Sequence, residues 1–517
     1  MNRISEVSHK LSNSAYDVPY IEEMEWNDGG SESNPFLFGG DLILTESQLD
    51  ALAQEYEIKL AKKEGRRVLN RLYSAHQILY WKQFPIKWAF DLDSPPPGNF
   101  TFVREAFSQV SQATCILFEE TVPNSPQADL IVGDGKGCES NLGFSHKNQR
   151  ITLGVNCSKA GIAIHEIMHS LGVFHMHSRP DRDDFIRVIK ENVSPSAWHN
   201  FEYQAGNNFG LSYDLGSIMH YSRDAFSVNE PTIEAIDPLY ESTFGQQKFP
   251  SFLDIKELNM MYCSEVCETK FPCKRGGYTD PRNCTRCICP RPFGGTLCDE
   301  LAKSSEHCGS SGFFKAGAEF KEIKEARSDY REFNCYYHIQ AAPGHGIAIE
   351  IVQFPSHVST EGVCDLAYVE IKLESDFTRT GARFCGRRRR QPFQIPASKT
   401  SNNVYVIYNP YNAGYNFKLR YRAEPNVPEP KGEPDWGPWS ECSYPCGACG
   451  VQTRHDRNKP GRKQFQRCNT IPCEDTTAGV NPRCCEGFVY DDAYPNECIP
   501  GAQNGDKDGL GIFELTL

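Results

Sequence analysis

The spacing of apolar residues divides this chain into segments of different character. Residues 1–34 are polar and are expected to be disordered. Thr45-x-x-Gln48 then has the form of a helix-opening capping box, and Leu49, Leu52, Tyr56 and Leu60 fall on one helical stripe behind it. Further on, Phe84 to Leu92, Ala128 to Asp134 and Arg150 to Val155 read as strands. Thr101 to Ser111 reads as a helix that turns Phe102, Ala106, Phe107 and Val110 inward. This mixture predicts an α+β lobe, with an edge strand able to pair with an extended peptide. Residues 308–423 alternate in strand fashion. No segment approaches about twenty consecutive apolar residues, so no membrane span is expected.

Composition narrows the class. At 517 residues the chain is too long for one core, and about three to five domains are expected. A net charge of −13 argues mildly against nucleic acid as a partner. The 22 cysteines say more: only Cys115 precedes Cys138, and all 22 divide into local groups with even totals. Such grouping implies disulfides and therefore the secretory route. The opening MNRISEVSHKLSNSAYD lacks the apolar core of a signal peptide, so the expectation of a secreted protein carries with it a missing or misassigned N-terminal exon. A zinc knuckle at Cys284-x-x-Cys287-x-Cys289 is the alternative to disulfides there and explains less of the set. Asn99, Asn192 and Asn283 lie in glycosylation sequons, as does Asn156, in keeping with secretion.

The chemistry concentrates in His165, Glu166, His169, Gly172 and His175, the pattern H-E-x-x-H-x-x-G-x-x-H. Residues four apart share a helix face, so His165 and His169 can reach one ion, with Glu166 beside them. Gly172 can take a positive φ and end the helix, letting His175 supply a third nitrogen and leaving a fourth position for water. Zinc bound in this way lowers the pKa of its water to about 7, and Glu166 would take that proton and pass it to a leaving amine. A bare H-E-x-x-H reads equally well as an ordinary amphipathic helix; the glycine, the third histidine and the later Ser217-Ile218-Met219-His220-Tyr221 decide for the metal. Met219 reads as an apolar floor beneath the ion, and Tyr221 as a phenol able to ligate it weakly or to hydrogen-bond an oxyanion. His177, His199 and His220 are not expected to be ligands.

The run His165 to Asp183, HEIMHSLGVFHMHSRPDRD, together with SIMHY, resembles the astacin family of metzincin endopeptidases. The resemblance implies an α+β zincin catalytic domain over 68–263, one Zn2+ held by His165, His169 and His175, Glu166 as base, Met219 in the Met-turn and Tyr221 as a switching fifth ligand. It also implies disulfides Cys115–Cys263 and Cys138–Cys157, and a propeptide over 1–67. In that propeptide, the Asp41 of Phe38-Gly39-Gly40-Asp41 would occupy the water position on the metal until cleavage near Arg66-Arg67 or Arg71. Two positions depart from the family pattern. Met176 replaces a glutamate that is usually linked to the new N-terminus, and Gln247 replaces an arginine that favours acidic residues after the scissile bond.

Downstream, the spacing of Cys267, Cys273, Cys284, Cys287, Cys289 and Cys298 resembles an EGF-like module over 264–299, which implies the pairs Cys267–Cys284, Cys273–Cys287 and Cys289–Cys298. Residues 308–423 look like a CUB β-sandwich with Cys308–Cys335 and Cys364–Cys385. Ala367 stands where many such domains place a calcium-binding aspartate, so weak or absent calcium binding is expected. Arg387 to Arg390 read first as a solvated loop, with glycosaminoglycan contact or a convertase cut as the functional options. A proline-rich linker over 424–434 precedes residues 435–474, where Trp436, Trp439, Cys442, Arg454 and Arg467 resemble a thrombospondin type 1 repeat; 475–517 form a cysteine-containing tail without a pattern. This architecture looks like that of nematode astacins of cuticle processing, moulting or hatching. It implies a secreted zinc endopeptidase, made as a zymogen, acting on collagen or other cuticle and matrix proteins. The alternative is a matrix-binding scaffold with a non-catalytic protease domain.

Overall fold

A computed structural model of the chain describes residues 39–45, 48, 80–204, 208–309, 311–325, 333–353, 355, 362–386, 393–410, 416–425, 437–440, 442, 450–455, 462–468, 488–490, 498–500 and 513–516. The predicted helical stripe from Leu49 to Leu60, the candidate cleavage sites, the four arginines and Trp436 lie outside these residues. The chain divides into a larger unit, whose main part runs to Val427, and a smaller one from Pro428.

The lobe that carries the histidine motif is built on a mixed sheet. Its strands are β1 (Leu42–Ile43), β2 (Ile86–Phe90), β3 (Phe118–Glu120), β4 (Leu130–Gly133), β5 (Cys138–Asn141) and β6 (Gln149–Leu153), in the order β1-β5-β6-β4-β2-β3. Strands β2, β3, β4 and β6 run parallel, whereas β5 pairs antiparallel with β6. Helix α1 (Thr101–Ala113) buries Val103, Ala106, Phe107 and Val110, spaced i, i+3, i+4, i+7. Phe107 stacks on Trp88 with ring centroids 4.4 Å apart. Phe102, expected to point inward, only packs against the margin of this core, because the buried face is centred one residue later, on Val103.

Helix α2 (Ala160–Ser170) is buried from Gly161 through Ser170. A helix enclosed on all sides needs apolar residues beyond one stripe, and Ile162, Ile164, Ile167 and Met168 supply them. A Cβ at Gly161 would lie 2.0 Å from the Gln247 carbonyl, so glycine permits the close approach of that segment. Below α2, strands β7 (Ile186–Val188) and β8 (Ile233–Ala235) pair antiparallel. Helix α3 (Phe252–Tyr262) begins at a reciprocal capping box between Ser251 and Asp254. Disulfides Cys115–Cys263 and Cys138–Cys157 close this lobe.

Residues 267–298 are held by Cys267–Cys284, Cys273–Cys287 and Cys289–Cys298, so the cysteines of the alternative zinc knuckle are all bonded. The strands between Gly312 and Pro425 form a sandwich of a five-stranded and a four-stranded sheet, as expected of the CUB-like region. Its inward-facing core includes Tyr337, Ile339, Val404, Val406, Phe417 and Leu419, and it carries Cys308–Cys335 and Cys364–Cys385. In the smaller unit Gly450–His455 pairs with Arg462–Cys468, Cys442 is bonded to Cys468, and the Arg454 guanidinium lies 4.5 Å over the Trp439 ring. Among the described residues no helix is long and apolar enough to cross a membrane.

Candidate metal centre

His165 and His169 project from one face of α2, one turn apart. His165 Nδ1 lies 2.8 Å from the Ile218 carbonyl and His169 Nδ1 lies 2.7 Å from the Val173 carbonyl. A carbonyl only accepts, so each Nδ1 carries a proton and each Nε2 is left to face the cleft. Gly172, at φ +97°, turns the chain after the helix. His175 then brings its Nε2 to 3.2 Å from that of His169, which is itself 2.9 Å from His165 Nε2.

Asp41 enters this cluster from far upstream. Its Oδ2 is 3.0 Å from His175 Nε2 and 3.2 Å from His165 Nε2, and its buried Oδ1 has no hydrogen-bond partner. Ligand atoms of Asp41, His165, His169 and His175 lie within 4.8 Å of one another, all from buried residues. Three imidazole nitrogens and a carboxylate oxygen short of a donor fit a zinc ion, whose usual coordination is four ligands of this type. The electrostatics agree. Burial opposes ionisation of Asp41, but the charges of His175 and His169 and the hydrogen bonds from the histidines outweigh it and hold the carboxyl well below the usual range. Burial drives His169 down to about 4, whereas in His165 the burial is outweighed by the Asp41 hydrogen bond and charge and by Glu166, which raise it to about 9. Asp41 is thereby held as a carboxylate among the imidazoles, the form in which it could ligate a cation.

Glu166 is buried next to His165. Met219 is buried in the same core as Ile164 and Met168, and its carbonyl accepts from the Met176 N–H at 2.8 Å. The Tyr221 hydroxyl donates to the Gly39 carbonyl, and its ring stacks on His177 with centroids 3.5 Å apart. Gly39 has φ +63°, and a Cβ there would meet His175 Nδ1 at 2.9 Å, so this position needs glycine. The segment carrying Asp41 also pairs with the sheet: β1 runs parallel to β5, Leu42 opposite Ser140 and Ile43 opposite Asn141. Gln48 and Thr45 cap each other's backbone N–H, and Gln48 Nε2 donates to the Leu142 carbonyl.

His177 and His220 stay outside the ligand cluster. His177 is held against the Asn200 carbonyl at 3.0 Å, and His220 accepts from the Tyr213 hydroxyl at 2.7 Å while its Nδ1 faces the Tyr221 carbonyl. Met176 lines a small cavity with Tyr80, Arg179 and Glu257, so the carboxylate in that cavity comes from α3. Burial, reinforced by the charge of Asp254, pushes Glu257 up to about 8. Asn99, Asn156 and Asn283 are exposed, and Asn192 is half-buried with its Nδ2 donating to the Pro231 carbonyl.

Sequence reasoning missed Asp254. Its carboxylate accepts from Ser251 N and Ile218 N at 2.7 and 2.9 Å and from Ser217 Oγ at 2.6 Å, so one residue caps α3 and fixes the Met-turn. The local S-x-x-D pattern signals the cap, but nothing local signals the reach to Ser217.

The match to the astacin peptidase family spans residues 74–263, that to the CUB domain 308–421, and that to the thrombospondin type 1 domain 434–477. The chain is 32% identical over 496 residues to zinc metalloproteinase nas-36 of Caenorhabditis elegans, covering 88% of this chain and 78% of that one. It is 33% identical over 414 residues to zinc metalloproteinase dpy-31 of the same organism, covering 76% and 67%. Among solved structures, high choriolytic enzyme 1, a hatching enzyme zinc-protease from Oryzias latipes (medaka fish), aligns at 30% identity over 37% of this chain and 97% of that chain, with a TM-score of 0.33.

Proposed function

The chain belongs to the astacin family of zinc metalloproteinases, and from that premise we propose that it is a secreted endopeptidase, made as a zymogen, that hydrolyses extracellular matrix or cuticle proteins. The observation that carries the reading is the convergence of Asp41 with His165, His169 and His175. A carboxylate of the pro-segment sits where water and substrate must enter, and β1 occupies the edge of β5 that an extended peptide would pair with. Cleavage between the pro-segment and residue 68 frees both.

Zinc, when bound by His165, His169 and His175, supplies Lewis acidity toward water and the scissile carbonyl. Glu166 takes the proton and delivers it to the leaving amine. Tyr221, released from the Gly39 carbonyl, turns its hydroxyl to the developing oxyanion. Residues 264–299 act as an EGF-like spacer, and the thrombospondin repeat over 435–474 localises the enzyme on its substrate, raising effective concentration without altering the chemistry. A scaffold with an idle protease domain has no use for a base beside a metal site.

The test is to remove the pro-segment and sequence the products released from native cuticle or collagen, with and without a chelator. Chelator-sensitive internal cleavage is expected. Products that persist unchanged after the metal is stripped would overturn the reading.

A further inference from the structure

The CUB domain touches the catalytic lobe beside the turn Ser217–Tyr221. Between strands Tyr368–Lys372 and Ala382–Phe384 a CUB loop lies against Ser212 to Gly216, the segment that leads into Ser217–Tyr221. Arg379 Nε donates to the Tyr213 carbonyl at 3.0 Å. Thr380 donates from its N–H to Asp214 Oδ1 at 2.9 Å and from its hydroxyl to Asp214 Oδ2 at 3.2 Å. Asp376 accepts from Ser212 Oγ at 2.5 Å. Arg379, Thr380 and Asp214 are all buried, so these bonds form away from water, where a lost partner is costly.

Asp214 does not stop at the CUB loop. Its Oδ1 also accepts from Gly216 N at 3.1 Å, and its carbonyl accepts from Ser217 N at 3.1 Å. A Cβ on Gly216 would lie 2.3 Å from Thr380 Oγ1, so glycine there lets the CUB loop seat directly on the turn. Ile218, which follows Ser217, presents the carbonyl that orients His165, and the Tyr213 hydroxyl holds His220, which in turn faces the Tyr221 carbonyl. Two short chains of contacts thus run from the CUB loop, one to a histidine ligand and one to the backbone of Tyr221.

We infer that CUB residues Arg379 and Thr380 are positioning residues of the protease centre, acting through Tyr213 and Asp214 to fix the turn that orients His165 and Tyr221. This rests on the endopeptidase reading above and assigns the CUB domain a part in turnover in addition to any part in substrate choice. A CUB domain that only tethers substrate has no effect on a peptide too short to reach it; one that braces the turn affects every substrate.

The test uses the full chain with the pro-segment removed, a short internally quenched peptide, and two readouts: kcat and KM measured separately, and the rate at which zinc passes to a chromogenic chelator. Arg379→Ala combined with Thr380→Val removes two buried hydrogen bonds and is expected to lower kcat by about five- to thirtyfold with KM nearly unchanged, and to release zinc several times faster. Thr380→Val alone, which keeps the backbone donor, gives a smaller effect in the same direction, and Thr380→Ser restores parent behaviour. Lys399→Ala, which removes a rim ion pair to Asp237 between the same two domains, leaves both readouts unchanged. Parent values of kcat and zinc release in the double variant, with a loss confined to native matrix, would overturn the inference. A parent chain inactive on every peptide would sink the endopeptidase reading instead, while zinc release would still decide whether the brace exists.

Discussion

Asp41 and His175 are 134 positions apart in the chain, yet Asp41 Oδ2 lies 3.0 Å from His175 Nε2. The described features around this contact all serve it: glycine at 39 against the imidazole, β1 on β5, and the Tyr221 hydroxyl on Gly39. Replacing Asp41 with alanine removes a charged partner worth roughly 1.5–3 kcal/mol per hydrogen bond. The uncleaved Asp41→Ala chain is therefore expected to hydrolyse a short peptide at least about tenfold faster than the uncleaved parent. Equal rates, with both chains confirmed intact by mass, would show that the carboxylate does not hold the site closed.

Glu166 and His169 lie on the same helix but are predicted to fail differently. Glu166→Gln keeps the shape and removes the base, so activity is expected to fall by about 10²–10⁴-fold with one zinc per chain retained. His169→Ala removes a ligand whose Nδ1 is already fixed by the Val173 carbonyl, so zinc and activity are lost together. Metal analysis beside the activity assay separates the two. Zinc loss in Glu166→Gln would mean that this carboxylate is needed to keep the metal.

Tyr221→Phe isolates the phenolic oxygen. The ring stacks on His177 and lies 4.9 Å from the His175 ring, and both contacts survive the change. Loss of one oxyanion donor is expected to lower kcat by about 10²–10³-fold while KM moves little. A change confined to KM would place the hydroxyl in substrate binding.

Much of this centre was legible because its residues are near one another in sequence. His165, His169, Gly172 and His175 lie within a helix and its following turn, where spacing determines geometry. The helix over Thr101–Ala113 and strands β2, β4 and β6 follow from local periodicity for the same reason, although Val103 and not Phe102 centres the buried face. What spacing does not encode is contact across the fold. Asp254 shows its capping role locally but not its hold on Ser217, and Asp214 reads as a loop residue until Thr380 is seen against it. Asp41 lies between: its motif was readable only by resemblance to a family, because no local rule connects a turn before a capping box to an ion so far along the chain.

His220 offers a test of the centre through stability. It accepts from the Tyr213 hydroxyl and donates from Nδ1 to the Tyr221 carbonyl, an arrangement that requires the neutral ring. Burial pushes it from the usual 6.5 down to about 4, with the Tyr221 hydrogen bond opposing. Between those values the unfolded chain binds the extra proton and the folded chain does not. The contribution is thus fully present above pH 6.5 and is lost as the pH falls toward 4, by roughly 3 kcal/mol in all and about 2 kcal/mol by pH 5. Asp254 works against this trend, because burial raises it to about 6 despite its hydrogen bonds, so the folded state gains stability as that carboxyl takes a proton in the same range. The parent's acid profile therefore mixes His220 with Asp254 and with other buried groups such as Glu257, raised to about 8 by burial, and the difference between parent and His220→Gln isolates the imidazole. In denaturant titrations at pH 7, 6 and 5, the stability gap between parent and His220→Gln is expected to narrow by about 2 kcal/mol toward acid. A gap that stays constant would mean that the imidazole is already protonated in the fold or titrates alike in both states, and the bridge from Tyr213 to Tyr221 would have to be redrawn.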